Sequence, residues 1–411
     1  MAPLAALILS PQTAPPEVPS SSYSEYDFPL FRAFARARRY AAALEEERRE
    51  ATRERFPRAL PQPAPPTPRQ RAERDTALCE SFLDRCKTLR HTDPEGAQML
   101  ASMVVSLAER IEPHDRSAQE ITDLQARAWA ELGNARRVAC DLTGAERDLS
   151  RALRLAEQGT GSRALLAQLM DLTASLFIDQ QRFAEAIQLL DGVERMHRAA
   201  GDLHAAGRAL ISKGTAAGYG LLNPGEAVRL LTEALRLLDP HREPDLVFMT
   251  IHNLLFYLVD SGRASEAARL FAQSRALYAL HTGRIDLLRA RWLEGRIASA
   301  QGDDAVAEAA FREVQAGFAE VDLPYDAALA SIELAGIWLR AGRTREIRGL
   351  IDEMVAIFRA RNIRREAIGA LLMLREACER DRATAALLRT VTAELQRLER
   401  EPVRRSSSDE R

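Results

Sequence analysis

Five alanines recur at a nearly fixed interval along the middle of this chain: Ala145, Ala186, Ala227, Ala267 and Ala307, spaced 41, 41, 40 and 40 residues apart. Ile347 extends the series by another 40, and four positions after each member stands a large apolar residue: Leu149, Leu190, Leu231, Phe271, Phe311 and Ile351. A beat of this length is far longer than any helix or strand period. It marks stacked supersecondary units, none of which can bury its apolar face alone. No segment shows the sustained period-two alternation of strands. The expected fold class is therefore all-α, an α-solenoid of antiparallel helical hairpins.

Breaks in the pattern set the expected boundaries. Residues 1–24, rich in Pro and Ser, are expected to be disordered. Residues 25–56 read as a charged amphipathic helix, with Phe28, Phe31, Phe34, Ala35 and Ala41 to Leu44 largely on one side. Residues 57–71 hold five prolines within eight positions from Pro61 and read as an extended linker. The solenoid, about seven to eight hairpins, is expected over 72–399, and 400–411 as a disordered tail. Turn signals divide each hairpin, as in Gln180 to Phe183, Ser261 to Arg263 and Ala341 to Arg343, leaving helices of roughly 15 to 18 residues. The opening pair (75–112) and closing pair (366–398) diverge, as terminal units do when one side lacks a neighbour.

Trp129-x-x-Leu132-Gly133-x-x-Arg136, followed by Ala145-x-x-x-Leu149-x-x-Ala152, is the sharpest copy of the unit. It resembles the tetratricopeptide repeat (TPR), with its aromatic residue, Leu-Gly, then Ala and a large apolar residue. Phe183-Ala-Glu-Ala186, Pro224-Gly-Glu-Ala227 and Ala264-Ser-Glu-Ala267 repeat the second half of the motif. Gly133 and Ala145 suit close approach of the two helices, with Trp129, Leu132 and Leu149 filling the seam. The period departs from the standard 34, Arg136 replaces the usual tyrosine, and the closing proline is missing. The match is good over 126–354 and loose over 75–398. It is similar to the long-helix TPR arrays of bacterial regulators and signalling scaffolds, including peptide-sensing ones. That resemblance implies a right-handed superhelix and a protein-binding role in signalling or regulation.

The composition excludes several alternatives. A net charge of −2 argues against a general polyanion binder, so no nucleic-acid partner is expected. The Ala2 to Leu9 stretch has no basic segment before it and is too short to cross a bilayer, so neither leader nor membrane partner is expected. Of 57 basic residues only Lys87 and Lys213 are lysines, which a GC-rich bacterial genome explains; bidentate carboxylate binding is the selective alternative. Four scattered cysteines point to a reducing, cytoplasmic compartment, with Cys79 and Cys86 as small residues on an apolar helix stripe.

Catalytic patterns are missing from the sequence. The seven histidines form no His-Glu-x-x-His, and Gly159 to Ser162 lacks the Lys-Ser/Thr ending of a phosphate loop. No enzyme activity, cofactor or metal is expected. What remains is the groove lined by the first helix of each hairpin. Phasing on the repeat places Arg127, Asn134 and Arg137 there, then Gln168 and Asp171, then Lys213 and Tyr219. His252, Asn253 and Phe256 follow, then Arg289, Trp292 and Arg296. Asparagine can clamp an extended backbone by donating and accepting together, and arginine favours an acidic segment or carboxylate. The expected function is a protein–protein interaction scaffold holding a peptide or protein partner. The alternative is a ligand- or peptide-sensing module that changes superhelix shape. Self-association is left open.

Overall fold

The computed structural model describes residues 67–400, apart from 91, 114, 115, 362, 364 and 381. The expected N-terminal disorder, the 25–56 helix, most of the linker and all but the first residue of the tail lie outside the described residues. Within them the chain is helical, with no strand. In order the helices are α1 (Pro68–Leu89), α2 (Pro94–Ala108), α3 (Ala118–Val138), α4 (Leu142–Gln158), α5 (Arg163–Asp179), α6 (Phe183–Ala199), α7 (Leu203–Thr215), α8 (Pro224–Leu237) and α9 (Pro244–Asp260). There follow α10 (Ala264–Gln273), α11 (Arg275–Tyr278), α12 (Arg284–Gln301), α13 (Asp304–Glu320), α14 (Pro324–Arg340), α15 (Thr344–Ala360), α16 (Arg365–Glu379) and α17 (Ala385–Arg400). The first helices of successive hairpins are α1, α3, α5, α7, α9, α12, α14 and α16.

Helix α1 begins at Pro68, inside the stretch expected to be linker. Proline is tolerated at the first helical position, and Thr67 and Gln70 close a reciprocal capping box there. Two other departures are local. The last turn of the α7 stretch, Ala216–Gly220, winds as a π-helix. The second helix of the fifth hairpin breaks at Ser274, so α10 and α11 are separate pieces.

The chain divides into two compact units between Thr250 and Ile251. In the first unit each helix packs on its successor, and first helices also touch along the row, α1 on α3 and α3 on α5. Its core runs as three successive clusters. Cys79, Leu83, Val104 and Leu124 join α1–α3; Ala145, Leu149, Leu169 and Leu172 join α3–α5; Ala174, Ala186, Leu190 and Ala209 join α5–α7. In the second unit α12 through α17 pack in the same serial way, with Leu293, Ala307, Phe311, Val314 and Phe318 at its centre.

The alanine beat is the hairpin seam. All five alanines and Ile347 are buried, as are their large partners apart from half-buried Phe271, which lies on the broken helix. Gly133 is tight against the second helix: a Cβ there would meet Leu149 Cγ at 2.9 Å and the Ala145 carbonyl oxygen at 3.2 Å.

A second beat runs five residues ahead of the alanines. Cys140, Gln181, Leu222, Gly262, Gly302 and Gly342 all adopt left-handed backbone, with φ between 51° and 86°. Except after Leu222, the next amide bonds to the carbonyl five residues back, as in Asp141 N to Arg136 O at 2.9 Å and Arg343 N to Trp338 O at 2.8 Å. This is the Schellman closure of a helix. After Leu222 the π turn displaces the bond by one residue, to the Ala217 carbonyl. The residue after each left-handed position then starts the second helix in one of two ways. Asp141, Asn223 and Asp303 cap it with a side-chain oxygen, whereas Arg182, Arg263 and Arg343 form ion pairs with the glutamate three residues on.

Candidate functional site

First and second helices differ in what they bury. Of the buried polar side chains among the described residues, all but Asp148, Ser274 and Gln315 lie on first helices or cap one. Second helices carry one apolar stripe, as α4 does with Ala145, Leu149 and Ala152. Helix α3, by contrast, is buried around most of its circumference from Ala126 to Arg137, and Glu131, Asn134 and Arg137 are part of that surface. Buried polar groups need partners, so these side chains build a network along the row.

In the first unit, the expected groove residues fall into two sets. Asn134, Arg137 and Asp171 are buried, not open lining, because α3 and α5 are enclosed by neighbours there. The Asn134 amide oxygen accepts from Arg137 Nε at 2.9 Å, and Arg137 Nη1 donates to Asp179 Oδ2 on α5 at 2.8 Å. This links one first helix to the next and leaves Asn134 Nδ2 without a protein partner. Arg127, Gln168, Lys213 and Tyr219 keep partial exposure. Arg127 lies 3.5 Å from Glu80, which Arg116 also holds at 3.2 Å. Lys213 pairs with Asp191 and sits 3.6 Å from Glu194. Tyr219, raised on the π turn, meets Phe183 edge-on with centroids 6.4 Å apart.

Three contacts in this unit escaped the sequence reading. Arg90 and Glu131 form a buried ion pair between α1 and α3 at 3.1 Å. Arg136, in the motif's tyrosine position, pairs with buried Asp148 of α4; burial raises that carboxyl above its ordinary range, against the pull of Arg136 and Arg147. His204 Nδ1 accepts the Asp239 amide at 2.9 Å, and Glu243 lies 3.5 Å from its other nitrogen. Burial holds this imidazole neutral below its ordinary range.

In the second unit the structure brings His252, Phe256, Arg289 and Arg296 together. His252 Nδ1 and the Tyr278 hydroxyl are 2.9 Å apart. Burial, then the charges of Arg289 and Arg296, push the imidazole down to about 3. The Arg296 guanidinium stacks on Phe256 at 3.8 Å from the ring centroid, donates to Asp260 at 2.6 Å and pairs with Glu333 at 3.0 Å. Its Nη1 is buried with no protein partner. Asn253 and Arg289 are buried. Trp292 is core, edge-on to Phe318 at 5.7 Å. Tyr278, Asp260 and Glu333 were not foreseen, since the repeat phasing gave no sign that they converge on this spot.

Among the described residues, no group of three His, Cys, Asp or Glu is placed to hold a metal ion. His91 and His114 lie outside them. The four cysteines are free, and burial pushes the thiols of Cys79 and Cys86 up to about 11 and about 12, where they are poor nucleophiles. Gly159–Gly161 is a loop between α4 and α5. Among the described residues, no helix is long and apolar enough to cross a membrane.

No protein-family model matches the chain, and no curated protein does. Solved structures match its fold. A Rap protein complexed with Competence and Sporulation Factor shares 14% identity at a TM-score of 0.55, covering 79% of this chain and 88% of that one. The apo form of the quorum sensor NprR from B. thuringiensis shares 14% at 0.56, covering 76% and 85%. NprR in complex with its cognate peptide NprX shares 16% at 0.50, covering 72% and 83%. The fold is that of TPR-like helical-hairpin repeats.

Proposed function

We propose that the chain is a non-enzymatic interaction scaffold of the bacterial cytoplasm that holds a peptide or protein partner along its first helices. The observation that carries this reading is the concentration of buried polar side chains on those helices. A solenoid stabilised by packing alone has no need of them there, whereas such pairs, as Asn134–Arg137–Asp179, fix the part-exposed side chains beside them for an extended polar backbone. In this reading Arg127, Gln168, Lys213, Tyr219, His252, Phe256 and Arg296 make contact. Asn134, Arg137, Asp171, Asn253, Arg289 and Trp292 hold them in place.

The sensing alternative is supported by the fold it shares with NprR, a quorum sensor solved with and without its cognate peptide. A phage-displayed random peptide library selected on the full chain tests both. Selected peptides should lose binding to the Gln168→Ala/Tyr219→Ala and Phe256→Ala variants while melting stays unchanged; equal binding by these variants rejects the site. Small-angle scattering then separates the readings. A profile that shifts with the selected peptide supports the sensor, and an unchanged profile leaves the scaffold.

A further inference from the structure

The terminal hairpin has an apolar side with no cover among the described residues. A groove of about 530 Å³ between α1 and α2 is lined by Leu78, Phe82, Met99, Met103 and Leu107, with Ser102 and Ser106 between them and Arg110 at one end. None of its lining residues comes from α3, against which the other side of the pair is packed. Met99 is 69% exposed and Met103 56%. The first unit of a repeat array normally turns a polar face outward, because no neighbour covers it. Here that face carries methionines, side chains that mould to a docked helix.

The chain itself holds a fitting occupant. Leu30, Phe34, Ala37, Ala41 and Leu44 fall three or four residues apart, one continuous stripe on a helix. The eleven residues 57–67, extended, reach about 34 Å, so this segment can fold back over α1. Running antiparallel to α1, Leu44 lies about 18 Å from Phe56, matching the about 15–21 Å from Pro68 to Leu78 and Phe82. The same alignment sets Glu47, on the flank of the stripe, toward the end of the groove held by Arg110. We infer that residues 26–56 form an amphipathic helix that docks in the α1–α2 groove of its own chain and caps the array. The inference is independent of what the first helices bind.

Peroxide oxidation of the full chain, read by mass spectrometry at Met99 and Met103, tests it. Both methionines should oxidise several-fold more slowly than in a Phe34→Glu/Leu44→Glu variant. A Leu44→Cys/Met103→Cys variant should form an intramolecular disulfide under mild oxidation, while Glu46→Cys/Met103→Cys, from the opposite face, should not. Free-methionine oxidation rates in the unsubstituted chain would overturn the proposal. So would protection that survives the double glutamate variant. Protection that grows with protein concentration, accompanied by intermolecular cross-links, would assign the groove to a second copy and likewise overturn it.

Discussion

Gln181 holds the left-handed backbone that the same turn gives to glycine at 262, 302 and 342. A Cβ in that conformation crowds the following carbonyl, at about 1–2 kcal/mol, whereas glycine adopts it freely at an entropic cost of about 0.5–1 kcal/mol. Gln181→Gly should therefore stabilise the fold by about 0.5–1 kcal/mol, measured as a shift in urea midpoint. Gly302→Ala should destabilise by about 1 kcal/mol through conformation alone, since a Cβ there meets nothing within 4 Å. His252 gives the pH dependence. Its folded value, about 3, lies below the ordinary 6.5, so protons bind the unfolded state more readily. Stability from this group is complete above pH 6.5 and declines as pH falls toward 3, by about 1.4 kcal/mol per unit. Denaturant midpoints for the wild type and His252→Gln between pH 7.5 and 4.5 should show a shallower decline in the variant. Parallel curves would mean that the imidazole is not held neutral.

Between elements, arginines carry ion pairs that lysine could not reproduce. Arg182 donates through Nε and Nη2 to Glu185 at 2.8 and 2.6 Å, reaches Glu146 of the preceding hairpin through Nη1 at 2.9 Å, and stacks on Phe177. Arg343 repeats the pattern with Glu346, Glu308 and Trp338. A lysine ammonium cannot make a fork and a stack together. The Arg90–Glu131 pair is the buried counterpart, so Arg90→Met, which removes the guanidinium beside a buried carboxylate, should cost about 3–5 kcal/mol, while Arg90→Met/Glu131→Leu should recover most of it. Equal losses in the single and double variants would show that volume, not charge, matters there. Seam and turns were legible in the sequence because small residues at fixed offsets have only one structural use. Burial of Asn134, Arg137 and Arg289 was not, because polar residues on a helix read as solvent-facing until the neighbours enclosing them are known. The break at Ser274 was hidden too, since nothing between Ala264 and Tyr278 is a helix breaker.

Across the molecule, the left-handed turns, the alanines and the large seam residues all keep one phase over six hairpins, so the period itself carries structural information. Within each unit successive helices pack on one another, and the seams are built from equivalent positions. Arg263 and Asp303 are such equivalents, each following a left-handed glycine. Deleting residues 264–303 therefore joins α9 to α13 through an unchanged turn and presents Ala307 and Phe311 where Ala267 and Phe271 stood. Deleting 264–283 removes only the second helix, setting first helix α12 after first helix α9 with the apolar stripe out of phase. The one-period deletion should keep a cooperative thermal transition and helicity in proportion to its length by circular dichroism, though at a lower midpoint because α9 and α13 were not selected as partners. The half-period deletion should lose the transition or aggregate. If both behave alike, the beat reflects sequence ancestry without governing the packing. If only the half-period deletion fails, the phase of the seam determines whether a hairpin can enter the array.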